Sequence, residues 1–480
     1  MSNQADRQSP RGANRKGWRW GPFTLRLPLY HTRMQWPEFL QGIALASATT
    51  LALVPLMMAF FGLSFEQAIA MSFMHGFLIG ITPILFGEPY APGWVTPALP
   101  LVIAFALVGY DSPVERIQAM VALTLTFTAL VTFLGLTGLG RRFMLWLPAA
   151  LKAGIVIGAA IASFQQVFVN RAEEGLLSQP VTITVAISVC MIFLFSIPFR
   201  ILKLRSRPLM LLAGLGLLPG FLAGALIGPL VGEVEYNIRW EWFIPPLLDT
   251  WHQVSPLVIG WPSLEMYLAA IPLAVITYIL LFGDLVTANE IIRDASKERP
   301  DEHIDIDTTR THLALAIRNA VMAITAPFFP TQGSVWSGVQ VVIVQRWRQG
   351  PKAMDSLHSG IHSYYLMGVP FIFFILPLLT ALQPLMEMAL ALTLVLTGFA
   401  CAYIAMVLAR HPVERGVALM TGAGLAFFEP WLGLLIGVVA SLVLIGGRDA
   451  VEMEHWVAKQ EHQYYKSRSG EAPDQVSKEK

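Results

Sequence analysis

Apolar stretches of about 20 residues follow one another along nearly the whole chain, and each is long enough to cross roughly 30 Å of hydrocarbon as a helix. That recurrence excludes a soluble domain with a single anchor and makes the membrane the main solvent. Composition agrees: 55% of the 480 residues are hydrophobic and only 14% charged, a balance no soluble core of this size needs. Net charge is +1, so the balance predicts no nucleic-acid partner. Cys190 and Cys401 lie inside apolar runs and read as small buried residues, with no disulfide or metal framework.

Hydropathy alone leaves the number of crossings ambiguous, and the placement of basic residues resolves it. Fourteen segments fit, at 37–62, 66–86, 94–109, 114–139, 146–168, 179–199, 208–231, 263–292, 309–328, 335–347, 358–382, 385–408, 414–428 and 430–446. With the N-terminus inside, cytoplasmic loops hold Arg141 and Arg142, then Arg200, Lys203, Arg205 and Arg207, then Arg293, Lys297, Arg299 and Arg310. Arg346, Arg348, Lys352, Arg410 and Arg415 follow on the same side, against only Arg116, Arg171 and Arg239 outside. Positive residues stay on the cytoplasmic side, so both termini are expected there, in a bacterial inner membrane or plasma membrane. Residues 1–36 read as a basic cytoplasmic arm whose part from 18 to 36 lies along lipid headgroups. Residues 37–447 form the transmembrane unit and 448–480 a polar, disordered cytoplasmic tail. The outer loop 233–261, with Trp240, Trp242, Trp251 and Trp261, is expected to cap the outer face and rest on lipid.

Two segments are broken in the same way. Segment 3 begins Pro89-Tyr90-Ala91-Pro92-Gly93-Trp94-Val95-Thr96-Pro97, and segment 10 begins Phe329-Pro330-Thr331-Gln332-Gly333-Ser334-Val335-Trp336-Ser337. Each has Pro and Gly, then a Trp, then an apolar run too short to span, and each is third in its half of the chain. The expectation is an all-α membrane protein of two inverted seven-segment repeats, with short strands leading to mid-membrane and half-helices 3 and 10 starting there. The first N–H groups of those half-helices would point into the centre of the protein. Kinks in two ordinary helices are the plainer reading of the same prolines.

Several short motifs carry a resemblance. Gln41 with Val54-Pro55-Leu56 is similar to the Q…VPL pattern of nucleobase permeases, and Gly283-Asp284-Leu285-Val286-Thr287-Ala288-Asn289 resembles their GHLxVTAN run. The latter also resembles the DHSVAS run of borate and anion exchangers, and the start of segment 10 looks like the FPxxGSxSxS run of SulP proteins. Taken in order, they resemble the superfamily of nucleobase-ascorbate permeases, SulP sulfate and anion transporters, and bicarbonate/borate transporters. The resemblance implies a core domain of segments 1–4 and 8–11, a gate domain of segments 5–7 and 12–14, and frequent dimerisation. Nucleobase permeases usually carry glutamates where this chain has Leu280 and Trp336 or Ser337, and many SulP carriers have a basic residue where it has Ser337-Gly338.

Asp284 is the first candidate for ion coupling, because an ionisable residue within a membrane helix usually faces a cavity or partner. It could take a proton, or bind Na+ with help from Thr287, as in the bicarbonate-type branch of the resemblance; a structural hydrogen-bond role is the plainer alternative. Glu88 is a second candidate for coupling or a solvated loop acid. Trp336, Ser334, Ser337, Gln340, Trp94, Thr96 and Gln41 are candidates for substrate binding, with Ser47 and Thr50 on the face of Gln41. Arg318 is expected to snorkel to the cytoplasm or pair with an acid, a direct ligand role being the lesser alternative, with Asn319 beside it, and His75 to be packed or hydrogen-bonded in preference to relaying protons. The acidic run 301–307 reads as a solvated linker.

These residues suggest a secondary active transporter, moving a small organic or inorganic anion with Na+ or H+ by elevator-type alternating access. A proton-coupled permease for uracil- or xanthine-like bases is the alternative, and an anion channel one of another class. No nucleophile or metal-ligand cluster in the segments suggests an enzyme or a cofactor beyond the coupling ion. A homodimer in the lipid bilayer and a small-molecule substrate complete the expected partners.

Overall fold

A computed structural model describes residues 17–446 apart from 204, 207, 208, 210–215 and 369, and leaves the side chains of 45–50 and 366–368 undescribed. Ser47, Thr50, Arg207, the first 16 residues, the start of segment 7 and the polar tail lie outside what is described. The structure is 73% helical with almost no strand, which places it in the all-α class. On length and apolarity, the helices Phe65–Phe86, Pro113–Thr137, Ala149–Asn170, Leu264–Ser296 and Leu376–Leu408 can each cross a membrane. Pro180–Phe195 with Ile197–Lys203, bent by 64°, makes a sixth. Shorter apolar helices follow at Leu51–Phe61, Thr96–Leu107, Leu218–Leu230 and Pro430–Ile445. The chain is a multi-pass membrane protein.

Helix boundaries follow local chemistry. Phe65–Phe86 opens with a capping box, Ser64 and Gln67 exchanging side-chain and backbone hydrogen bonds, and closes at Gly87 in the left-handed conformation. Pro113–Thr137 repeats the device with Ser112 and Glu115 and closes at Gly138. One expected boundary moves. The turn placed between 382 and 385 is a 3-10 turn, Gln383–Leu385, inside the continuous span Leu376–Leu408. Pro384 falls in the first turn of the following stretch, where its missing N–H is tolerated. The helix is interrupted at Ile375, ahead of Leu376–Leu382.

Packing divides into two sets of neighbours. Pro113–Thr137 packs on Thr308–Thr325 and Leu264–Ser296, which in turn packs on Ser337–Arg348, while Phe65–Phe86 packs on Thr308–Thr325. In the other set Ala149–Gln165 packs on Pro412–Phe427 and Met386–Leu408, Pro180–Phe195 on Leu218–Leu230, and Pro412–Phe427 on Pro430–Ala440.

Two polar stretches are tied to the helices by contacts that the sequence alone does not show. Residues 18–25 form an antiparallel hairpin, β1 (Trp18–Trp20) and β2 (Phe23–Leu25). Gly21 takes a left-handed φ of 54° and Pro22 cannot extend a helix, so the chain turns back. The hairpin docks on the end of segment 2: Trp20 Nε1 donates to the Leu85 carbonyl at 2.7 Å, Arg26 N to Ile84 at 2.8 Å, and Phe23 meets Phe86 edge-on. The following residues strap onto segment 11, Arg33 N donating to Ser359 Oγ and Gln35 N to Ser363 Oγ.

The acidic run 301–307 is only partly a solvated linker: Asp301, His303, Asp305 and Asp307 are exposed, but Glu302 and Ile304 are not. Arg299 is buried and donates to the carbonyls of Trp347, Met354 and Asp355 and to Asp301. Glu302 accepts from Ser356 Oγ, Trp347 Nε1 and Leu357 N. Burial pushes the Glu302 carboxyl above its ordinary range, with these hydrogen bonds pulling the other way, while the Arg299 bond holds Asp301 low. The loop after segment 8 is thereby fastened to the loop after segment 10. In the loop 233–261, Trp240, Trp242 and Trp261 are exposed, and the loop is tied to segment 2 by Arg239 Nη2 on Glu66 at 2.7 Å.

Candidate functional site

The two broken segments meet. Residues 91–95 and 330–336 run antiparallel, Trp336 N donating to Ala91 O at 2.7 Å and Val95 N to Pro330 O at 3.0 Å. These are the expected strand-like entries, yet they carry no β-ladder; the described β-ladder pairing is that of β1 with β2. Pro89, Pro92, Pro97 and Pro330 lack the N–H groups that a longer ladder requires. The approach is close enough to demand glycine: a Cβ at Gly333 would fall 2.6 Å from the Trp94 carbonyl carbon, and one at Gly93 would meet Trp336 Cβ.

From this crossing the half-helices depart. Segment 3 continues as a 3-10 turn, a short α-turn and a π-turn over Thr96–Leu107, and segment 10 as Ser337–Arg348. Gln340, a candidate for substrate binding, is fully buried and braces the crossing. Its Oε1 accepts from Ala91 N at 2.6 Å and its Nε2 donates to Pro89 O at 3.2 Å, so both ends of the amide are used on backbone.

Asp284 lies in the 33-residue helix Leu264–Ser296, 12 residues from its end, or about 18 Å. Ser337 Oγ, on the first residue of half-helix 10, donates to Asp284 Oδ1 at 3.0 Å. Around them the surface is open: Gly283 and Gly338 are exposed, and a Cβ at Gly283 would meet nothing within 4 Å. Trp336 and Trp94 are half-buried, as is Thr96, and the Trp336 ring meets Tyr364 edge-on at 6.4 Å. Asp284, Ser337 and Trp336 are thus brought together at the head of half-helix 10. Thr287 is exposed and donates to the Gly283 carbonyl at 2.9 Å, one turn back on its own helix. Gln41 is half-buried on Trp36–Thr49, a helix that packs against Ser363–Gly368 of segment 11.

Glu88 is no solvated loop acid. It is 4% exposed, accepts from Arg310 Nε at 2.8 Å and from Thr311 Oγ1 at 2.5 Å, and so is held by an ion pair within the fold. Tyr90, two residues on, donates to Asn289 Oδ1 at 2.6 Å, tying the entry of segment 3 to the helix of Asp284. His75 Nε2 bonds the Ala326 carbonyl at 2.8 Å and is buried, as a hydrogen-bonded residue.

Arg318 departs from expectation most. It neither snorkels nor pairs with an acid: it is 3% exposed, and its Nη2 donates to Gly333 O at 2.5 Å and to Asn319 Oδ1 at 3.2 Å. Ser334 is 8% exposed and lines a pocket with Arg318, away from the Asp284–Ser337 pair. The signal for this in sequence was the arginine itself, 10 residues into an apolar segment with no acid at helical spacing.

No family model matches the chain, and no curated protein matches it. Among solved structures it is similar to the transmembrane domain of a cyanobacterium bicarbonate transporter, BicA, at 12% identity and a TM-score of 0.46, over 86% of this chain and 99% of that one. It is similar to murine Solute Carrier 26 family member A9, an anion transporter in the inward-facing state, at 13% identity and a TM-score of 0.47, over 85% and 68%. Another structure of SLC26A9 matches at 12% identity and a TM-score of 0.49, over 85% and 65%. These neighbours lie in the superfamily that the motifs of segments 1, 8 and 10 resemble, and leave its branch open. At such identities and scores they assign this chain no activity.

Proposed function

We propose that the chain is a secondary active transporter of a small anion, coupled to Na+ or H+ through Asp284. The observation that carries this reading is the Asp284–Ser337 hydrogen bond at the head of half-helix 10, where two extended segments cross and an open surface begins. A carboxylate at that depth, with one hydroxyl partner, can take up and give back a cation as the cargo site changes sides. Half-helix N–H groups beside it suit an anionic or carbonyl oxygen, and the exposed Gly338 lets a ligand approach the backbone. The proteins described as anion transporters among its structural neighbours name the same kind of cargo.

Fourteen segments in two inverted repeats, both termini cytoplasmic, complete the reading. Packing supports it, because pairs recur under exchange of the halves: segment 6 on 7 matches 13 on 14, segment 4 on 8 matches 11 on 1, and 5 on 13 matches 12 on 6. A core of segments 1–4 and 8–11 and a gate of 5–7 and 12–14 are proposed with it, and the separate packing of 2, 4, 8, 9 and 10 from 5, 6, 7, 12, 13 and 14 supports that division. An elevator movement of core against gate suits that division, and a homodimer is proposed with it. Close apposition of Gly93 and Gly333 with the opposing backbone closes the crossing itself, which supports alternating access over an open channel.

Reconstitution tests the reading. Proteoliposomes should accumulate bicarbonate, sulfate or a small carboxylate under an inward Na+ or proton gradient, and lose that accumulation with an ionophore. Accumulation of uracil or xanthine alone would replace the anion reading, and an ungated conductance would replace the transporter reading.

A further inference from the structure

Segment 9 carries two buried arginines eight residues apart, about 12 Å along the helix. Arg310 is fully compensated: Nε bonds Glu88 at 2.8 Å, Nη1 bonds Asp305 Oδ2 at 2.6 Å, and Nη2 the Asp305 carbonyl at 2.7 Å. Arg318 has only neutral acceptors, Gly333 O and Asn319 Oδ1. None of the ion pairs among the described residues includes it, and its Nη1 has no hydrogen-bond partner. A guanidinium stays charged in a protein, and burying it without a counter-charge costs several kcal/mol, about as much as a typical buried-pair deletion. Ser334 Oγ, also buried and without a partner, lines the same pocket, which is enclosed by segment 2, the entry to segment 3 and segment 9.

We propose that this pocket binds one small monovalent inorganic anion of halide size, held between Arg318 Nη1 and Ser334 Oγ. Pro83, Pro92, Ala314 and Leu315 give it apolar walls, which suit a compact anion with a small hydration demand better than a larger polar one. Glu88 shares the pocket, and its carboxylate, already matched by Arg310, opposes a second negative charge. Neither Asp284 nor Ser337 lines this pocket, so the anion is a resident of the core and distinct from the cargo. Its structural effect is direct: Arg318 holds the Gly333 carbonyl, so a bound anion fixes the 333–334 turn against segment 9 just before half-helix 10 begins. The inference requires only the pocket and does not depend on transport.

Thermal melting of the purified full chain in detergent tests it, with gluconate exchanged for chloride, bromide or nitrate. Halide should raise the melting temperature saturably, as a ligand of the folded state does. Ser334→Ala, a small change with no new polarity, should weaken the apparent halide affinity several-fold. Arg318→Met should remove the halide response while melting in gluconate no lower than the parent. Ser337→Ala should leave the response intact. Identical melting in gluconate and halide would overturn the proposal, as would a halide response lost in Ser337→Ala but kept in Ser334→Ala.

Discussion

Asp284 and Glu88 are both carboxylates beside the crossing of segments 3 and 10, and both are sequence candidates for coupling an ion, yet their surroundings differ. Glu88 is locked: an arginine and a threonine hydroxyl from segment 9 hold both oxygens. Asp284 has one serine hydroxyl and an open flank at Gly283. A carboxylate that neutralises a buried cation cannot release it without leaving that cation exposed to low dielectric, whereas one held by a single neutral donor can exchange its cation. On the proposed function, that difference fits an architectural role for Glu88 and a cargo-linked charge for Asp284.

That contrast can be broken by unfolding measurements. Glu88→Ala should cost about 3–5 kcal/mol, since Arg310 loses its buried partner. Asp284→Asn, which keeps an acceptor for Ser337, should stay within about 1 kcal/mol of the parent. If Asp284→Asn proves the more destabilising of the two in denaturant titration, the assignment of roles is wrong. Gln340→Ala should come next, at about 1–3 kcal/mol, because it strands the Ala91 N–H and removes a bond to Pro89 in a buried setting. Ser337→Ala sharpens the comparison from the other side: loss of one hydrogen bond to a carboxylate, about 1.5 kcal/mol, should shift the apparent affinity for the coupling ion roughly tenfold with little change in melting. Thr287→Val should be smallest, about twofold or less in uptake, as the hydroxyl bonds only its own helix. Abolished sodium dependence in that variant would restore Thr287 to the ion site.

The places where helices lie were legible because each needs an unbroken apolar run and each interruption carries Pro or Gly. The paired breaks ahead of Trp94 and Trp336 were legible for the same reason. Side-chain partnerships were not. Glu88 and Arg310 are 222 residues apart, and nothing local distinguishes a locked acid from a free one. Gln340 looked like a ligand group because a polar residue on a short half-helix has two uses, and only the position of residues 89–91 decides between them. The acidic run 301–307 looked solvated because charge density is read locally, while its partners Ser356 and Trp347 come from a later loop. The hairpin at residues 18–25 was hidden because tryptophan and arginine suit headgroups and β-strands alike.

Gradient-driven uptake in proteoliposomes tests the central claim most directly, comparing the parent with Asp284→Asn under imposed Na+ and proton gradients and under equilibrium exchange of labelled anion. The account predicts that the variant no longer accumulates anion against its gradient and that its remaining exchange is indifferent to Na+ and pH. Full gradient-driven accumulation by Asp284→Asn would contradict it.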